Sequence, residues 1–106
     1  MIQENEPILI GNVEDIDKDC VENFEHEEID YAIYHLESGY FATQGHCNCE
    51  EQAFLSEGTI EDEELECASC GKTFSIVSGD PISDLDADPL KIYEVNEEGG
   101  KLYLNI

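Results

Sequence analysis

The chain has 106 residues, of which 41% are apolar and 29% charged, enough for one domain with a modest core and too apolar for a disordered acidic tail. Asp and Glu number 27 against four Lys and no Arg, a net charge of −23. Such a surface repels nucleic-acid phosphates and anionic membranes and is steered toward basic protein faces, although adaptation to salt would also account for it.

No apolar run reaches the roughly eighteen residues of a membrane helix, and the start, Met1-Ile-Gln-Glu-Asn-Glu6, lacks the basic and apolar regions of a signal peptide. A cytoplasmic monomer is the expectation. In a reducing compartment, five cysteines read as ligands plus a spare thiol rather than as disulfides.

In chain order, Pro7-Ile-Leu-Ile10 reads as a first strand stopped by Gly11-Asn12. Val21 to His26 alternates weakly and pairs with Ile29 to Leu36, where Tyr31, Ile33 and His35 face one way and Ala32, Tyr34 and Leu36 the other. Glu37-Ser-Gly39 is a turn and Tyr40 to Thr43 a returning strand. After a loop at about 45–56, Thr59-Ile60 and Glu64 to Cys67 form the arms of a hairpin turning over Glu61 to Glu64. A second loop covers about 66–74, and Thr73 to Val77 is a β-branched strand stopped by Ser78-Gly-Asp-Pro81. Ile82 to Pro89 has the composition of an exposed acidic loop, and Lys91 to Val95 with Lys101 to Ile106 makes a closing hairpin across Asn96–Gly100. Short strands between Gly/Pro turns define an all-β, single-domain chain of sandwich or barrel type spanning 1–106.

Both loops carry cysteines. Cys47-Asn-Cys49 and Cys67-Ala-Ser-Cys70 give C-x-C-x17-C-x2-C. Thiolates bunched in this way bind zinc or iron–sulfur clusters. C-x2-C suits both, whereas C-x-C is less usual for a zinc knuckle. Four thiolates would fill a site and leave no open position for substrate, which argues against an independent enzyme. Cys20 lies outside both loops and reads as a free thiol. His46 precedes Cys47, and on an extended backbone its side chain points away from the ligand; His26 and His35 are read as surface residues, and the five tyrosines as packing.

The stretches Gly39-Tyr-Phe-Ala-Thr-Gln-Gly-His-Cys47-Asn-Cys49, Leu65-Glu-Cys67-Ala-Ser-Cys70-Gly71-Lys-Thr-Phe74 and Ser78-Gly79 resemble the small Rieske-type [2Fe–2S] ferredoxins of bacterial oxygenases. That family has C-x-H, a spacer of about this length and C-x2-H-G; Cys47 and Cys67 fall on its cysteines, Cys49 and Cys70 on its two histidines. The resemblance implies a small antiparallel sandwich or barrel with two metal-binding loops, each giving one ligand to each iron. It implies a one-electron carrier between a flavin-dependent reductase and an oxygenase, both with basic docking surfaces. The competing reading is a redox-inert protein holding structural Zn²⁺ on the same four cysteines and acting as a partner-binding module.

Two thiolates in place of two neutral imidazoles make the cluster more negative by two charges and harder to reduce. Centres with two His ligands lie at about −150 to +300 mV, plant-type four-cysteine centres near about −400 mV. Lys72 and Phe74 stand where high-potential Rieske proteins carry hydroxyl donors, which points the same way, and Lys72 is read as exposed. The second cysteine pair that ties the loops in respiratory Rieske proteins is missing, so Phe41, Phe54 and Phe74 are the candidates for clamping them by packing. Glu50, Glu51, Glu57 and Glu66 flank the cysteines and are candidates for steering a partner.

Overall fold

The computed structural model describes residues 7–47 and 53–105. Among the described residues, nine strands form: β1 (Ile8–Asn12), β2 (Cys20–His26), β3 (Ile29–Leu36), β4 (Gly39–Gln44), β5 (Thr59–Glu61), β6 (Glu64–Glu66), β7 (Thr73–Ser75), β8 (Ile92–Glu98) and β9 (Lys101–Asn105). All described pairings are antiparallel. They make a six-stranded sheet in the order β1-β9-β8-β4-β3-β2 and a small sheet in the order β5-β6-β7.

Period-two alternation on β3 sorts its side chains into two cores. Ala32, Tyr34 and Leu36 pack with Leu55, Leu65, Phe74, Ile76 and the buried Cys47 and Cys67. Tyr31 and Ile33 pack on the other face with Ile16, Ala42, Leu102 and Leu104. The strand is therefore covered on both faces, as its near-continuous apolar run requires. Tyr34 is fully buried, and its hydroxyl lies 2.8 Å from Thr43 Oγ1, which itself donates to the Gln44 carbonyl at 2.8 Å. Burial pushes the phenol pKa well up, so the group stays neutral and hydrogen-bonded.

Several boundaries differ from the sequence reading. β1 continues through Asn12, because an irregularity between Leu9 and Gly11 lets it keep pairing with β9. β7 ends at Ser75, and the closing hairpin is longer than expected because its turn tightens to Gly99-Gly100. Two other hairpins turn on acidic pairs with positive φ, Glu27 and Glu28 at 53° and 70°, and Asp62 and Glu63 at 52° and 68°. That backbone matches the right-handed twist of the strands it joins. No described helix is long and apolar enough to cross a membrane.

Candidate metal centre

The first loop closes between β4 and the 3₁₀ turn Leu55–Glu57. Cys47 N–H donates to the Ala53 carbonyl and Leu55 N–H to the Gly45 carbonyl, each at 2.9 Å, so the chain leaves and returns as a narrow ribbon. Gly45 is required by contact: a Cβ there would lie 2.5 Å from the Asp30 carbonyl carbon. Gln44 secures the base of the loop. Its Nε2 donates to the His46 carbonyl at 2.6 Å, and its Oε1 accepts from Lys91 N–H at 2.8 Å.

The second loop is wound more tightly. Cys67 N–H donates to the Lys72 carbonyl at 2.9 Å, and Gly71 N–H donates back to the Cys67 carbonyl at 3.0 Å. Gly71 takes φ of +76°, a conformation that side chains disfavour. Phe74 follows as a core residue, 1% exposed.

These two loops bring the Sγ atoms of Cys47, Cys67 and Cys70 within 4.8 Å of one another. Cys47 and Cys70, from different loops, are 3.6 Å apart. Cys47 and Cys67 are buried and Cys70 is exposed. Soft sulfur donors at this spacing fit a thiolate-bound metal or iron–sulfur cluster. Cys49, the fourth candidate, lies outside the described residues, as do Glu50 and Glu51. Cys20 is exposed at the start of β2, paired with His35 and away from this group.

Ser69 N–H donates to Cys67 Sγ at 3.4 Å. An amide thus supplies one sulfur with the compensation that side-chain hydroxyls give elsewhere. No side-chain pattern in the sequence marks this donor.

His46 Nε2 lies 2.8 Å from Asp30 Oδ2, and its ring packs on Phe54 with centroids 4.4 Å apart. The imidazole is turned to β3 rather than toward the thiols. Asn23 Nδ2 also donates to Asp30, at 3.0 Å, and these two bonds hold the Asp30 carboxyl below its ordinary pKa. His35, expected on the surface, is half-buried: its Nδ1 lies 2.9 Å from the Ile16 carbonyl, and its ring stacks on Tyr40 at 4.2 Å. The segment 13–19 folds over that face and covers it, which strand alternation does not reveal.

One further expectation is corrected. Lys72 does not simply extend into solvent; it lines a cavity of about 180 Å³ beside Cys47 and Cys70, and its ammonium lies 3.5 Å from Asp84 Oδ2. The acidic segment 82–89 is the mostly exposed loop that its composition predicts, and it is tethered to the second ligand loop. Ile82 N–H donates to the Thr73 carbonyl at 2.8 Å and Thr73 N–H to Ser83 Oγ at 2.9 Å, while Ala87 packs against the core. Asp86 and Asp88 consequently face the cavity. Of the clamping aromatics, Phe74 is fully buried and Phe41 partly, but Phe54 is 39% exposed.

An all-β scaffold presenting cysteines on two apposed loops defines a small metal- or cluster-binding protein. The Rieske [2Fe-2S] domain matches residues 6–94, and the chain belongs to that family. It is 33% identical over 73 residues to the ferredoxin CarAc of Metapseudomonas resinovorans, covering 69% of this chain and 67% of that one. It is 31% identical over 78 residues to the 3-phenylpropionate/cinnamic acid dioxygenase ferredoxin subunit of Photorhabdus laumondii, covering 73% of each. Both relatives are ferredoxins by name, the second a ferredoxin subunit of a dioxygenase. In fold, the chain is similar to a structure from the oxygenase–ferredoxin complex of carbazole 1,9a-dioxygenase, with a TM-score of 0.86 over 96% of this chain and 94% of that one at 24% identity. The family is an iron–sulfur family, and nothing in these comparisons supports zinc.

Proposed function

We propose that the chain is a one-electron carrier in which Cys47, Cys49, Cys67 and Cys70 hold a [2Fe–2S] cluster, receiving electrons from a flavin-dependent reductase and delivering them to an oxygenase. The observation that carries this reading is the convergence of three sulfurs within 4.8 Å from two separate loops, in a chain of the Rieske family. When bound, the cluster supplies one-electron redox chemistry. Cys47 and Cys67 anchor it from the buried side, with Ser69 N–H easing the negative charge on Cys67. Cys70 lies at the solvent edge, where a partner can approach. The Photorhabdus relative is by name the ferredoxin subunit of a dioxygenase, which supports an oxygenase as acceptor. The net charge of −23 suits basic docking faces on both partners. With four thiolates bound, no ligand position is open to a substrate.

Anaerobic purification followed by visible spectroscopy, iron and sulfide analysis and EPR tests the reading. A reddish-brown protein with two irons and two sulfides is expected, with a midpoint nearer the plant-type value of about −400 mV and little change with pH. Serine at Cys47, Cys49, Cys67 or Cys70 should abolish or badly perturb the spectrum, and Cys20→Ser should leave it unchanged. A colourless zinc protein would overturn the assignment. A midpoint above about −150 mV would count against four-thiolate ligation.

A further inference from the structure

Four lysines are the only cationic residues other than histidine in a chain with 27 acidic ones, and one of the four stands at the candidate metal centre. Among the described residues, Lys72 is the only cationic side chain lining the cavity beside Cys47 and Cys70; Asp86 and Asp88 line the same cavity. The backbone of Lys72 belongs to the ligand loop itself, since its carbonyl accepts the Cys67 amide at 2.9 Å. Its ammonium is 3.5 Å from Asp84, and both side chains are about half exposed, at 41% and 45%. Beside the two hydrogen bonds at Thr73, the acidic segment and the second ligand loop therefore meet through an ion pair at the edge of the site.

Resting on the four-cysteine cluster proposed above, we infer that Lys72 tunes the reduction potential upward and that Asp84 holds this effect in check. A positive charge beside a cluster favours its more negative, reduced form; a carboxylate does the reverse. Reduction adds one negative charge to the cluster, and it is this added charge that a nearby ammonium stabilises. Asp84 neutralises part of that ammonium's field. Asp86 and Asp88 oppose it from the same cavity.

This account differs in sign from a merely structural latch. Lys72→Gln and Asp84→Asn break the same ion pair, so a latch would make both variants shift the potential the same way or leave it fixed. Tuning by charge requires opposite shifts: downward for Lys72→Gln, upward for Asp84→Asn. Lys72→Arg restores the charge and should return the potential toward wild type. Asp86→Asn should move it upward, as Asp84→Asn does.

The experiment is a spectroelectrochemical titration with dithionite as reductant, on wild type and these variants, with the visible spectrum and iron content of each recorded beforehand. Opposite shifts that shrink as salt is raised, on spectra matching wild type, are the expected result. Intact spectra with potentials that do not move, or that move in the same direction for Lys72→Gln and Asp84→Asn, overturn the inference while leaving the cluster in place. A wild-type protein that holds no cluster fails at the earlier step and removes the carrier reading together with this one.

Discussion

The Nε2 of His46 and the Oδ2 of Asp30 lie 2.8 Å apart, joining the residue before the first cysteine to the strand that runs between both cores. Asn23 completes the arrangement from β2, and Phe54 covers the imidazole from the far side of the loop. Cys47 therefore leaves the sheet in a direction set by its neighbour, which is anchored by a charged group rather than by packing alone.

Asp30→Ala should lower stability by about 1–2 kcal/mol, since it removes two bonds to a partly exposed carboxylate. The melting midpoint should fall by about 5 °C or more. The pH dependence has a definite sign. The folded pKa of Asp30 is depressed by Asn23 first and then by His46, so its contribution is full above the ordinary carboxylate pKa. It is lost as pH falls through the lower native value. The gap in melting temperature between wild type and Asp30→Ala should therefore close in acid; a gap that widens there would refute the linkage.

Gln44 offers a test of loop control that involves no charge. Its amide spans the His46 carbonyl and the Lys91 amide, tying the first ligand loop to the chain emerging from the acidic segment. Gln44→Leu keeps the bulk but removes both bonds, at a cost of about 0.5–1.5 kcal/mol for the part-buried one and less at the exposed Lys91 amide. The cluster should be lost faster during incubation with a chelator, as followed by bleaching of the visible bands. Bleaching at the wild-type rate would show that Gln44 does not hold the loop.

How far the sequence foretells this structure varies from residue to residue. The two faces of β3 were legible, because alternation placed Tyr31 and Ile33 against Ala32, Tyr34 and Leu36, and the two cores divide along that line. The cysteine spacing likewise foretold loops that bring Cys47, Cys67 and Cys70 together. Contacts between distant segments were not legible. His35 lies under residues 13–19, and Lys72 meets Asp84 across two loops; neither relation leaves a periodic trace in the chain. The amide donor to Cys67 is invisible for another reason, since any non-proline residue at position 69 could supply it.

The turn joining β2 and β3 carries a correctable strain. Glu28 adopts φ of 70°, where an L-side chain pays about 1–2 kcal/mol relative to the right-handed region. Part of the gain from glycine is offset by greater freedom in the unfolded chain. Glu28→Gly should therefore raise stability by a few tenths to about 1 kcal/mol, seen as a rise of a few degrees in melting midpoint. A fall would mean that the Glu28 side chain makes a contribution larger than its backbone strain.

The surface charge makes a kinetic prediction. Attraction between exposed charges fades as the screening length falls from about 10 Å at 0.1 M salt to about 3 Å at 1 M. Oxidation of the reduced protein by a basic acceptor such as cytochrome c, followed by stopped flow, should slow steeply with salt through the association rate. Glu57 and Glu66 are both exposed on the segments around the thiols, so Glu66→Lys should lower the rate at low salt and have less effect at high salt. If the 27 acidic residues serve salt tolerance instead, the melting temperature should climb with salt while the transfer rate stays level or rises. Measuring both quantities across one salt series separates the two roles, and a rate indifferent to salt would remove charge from the docking step.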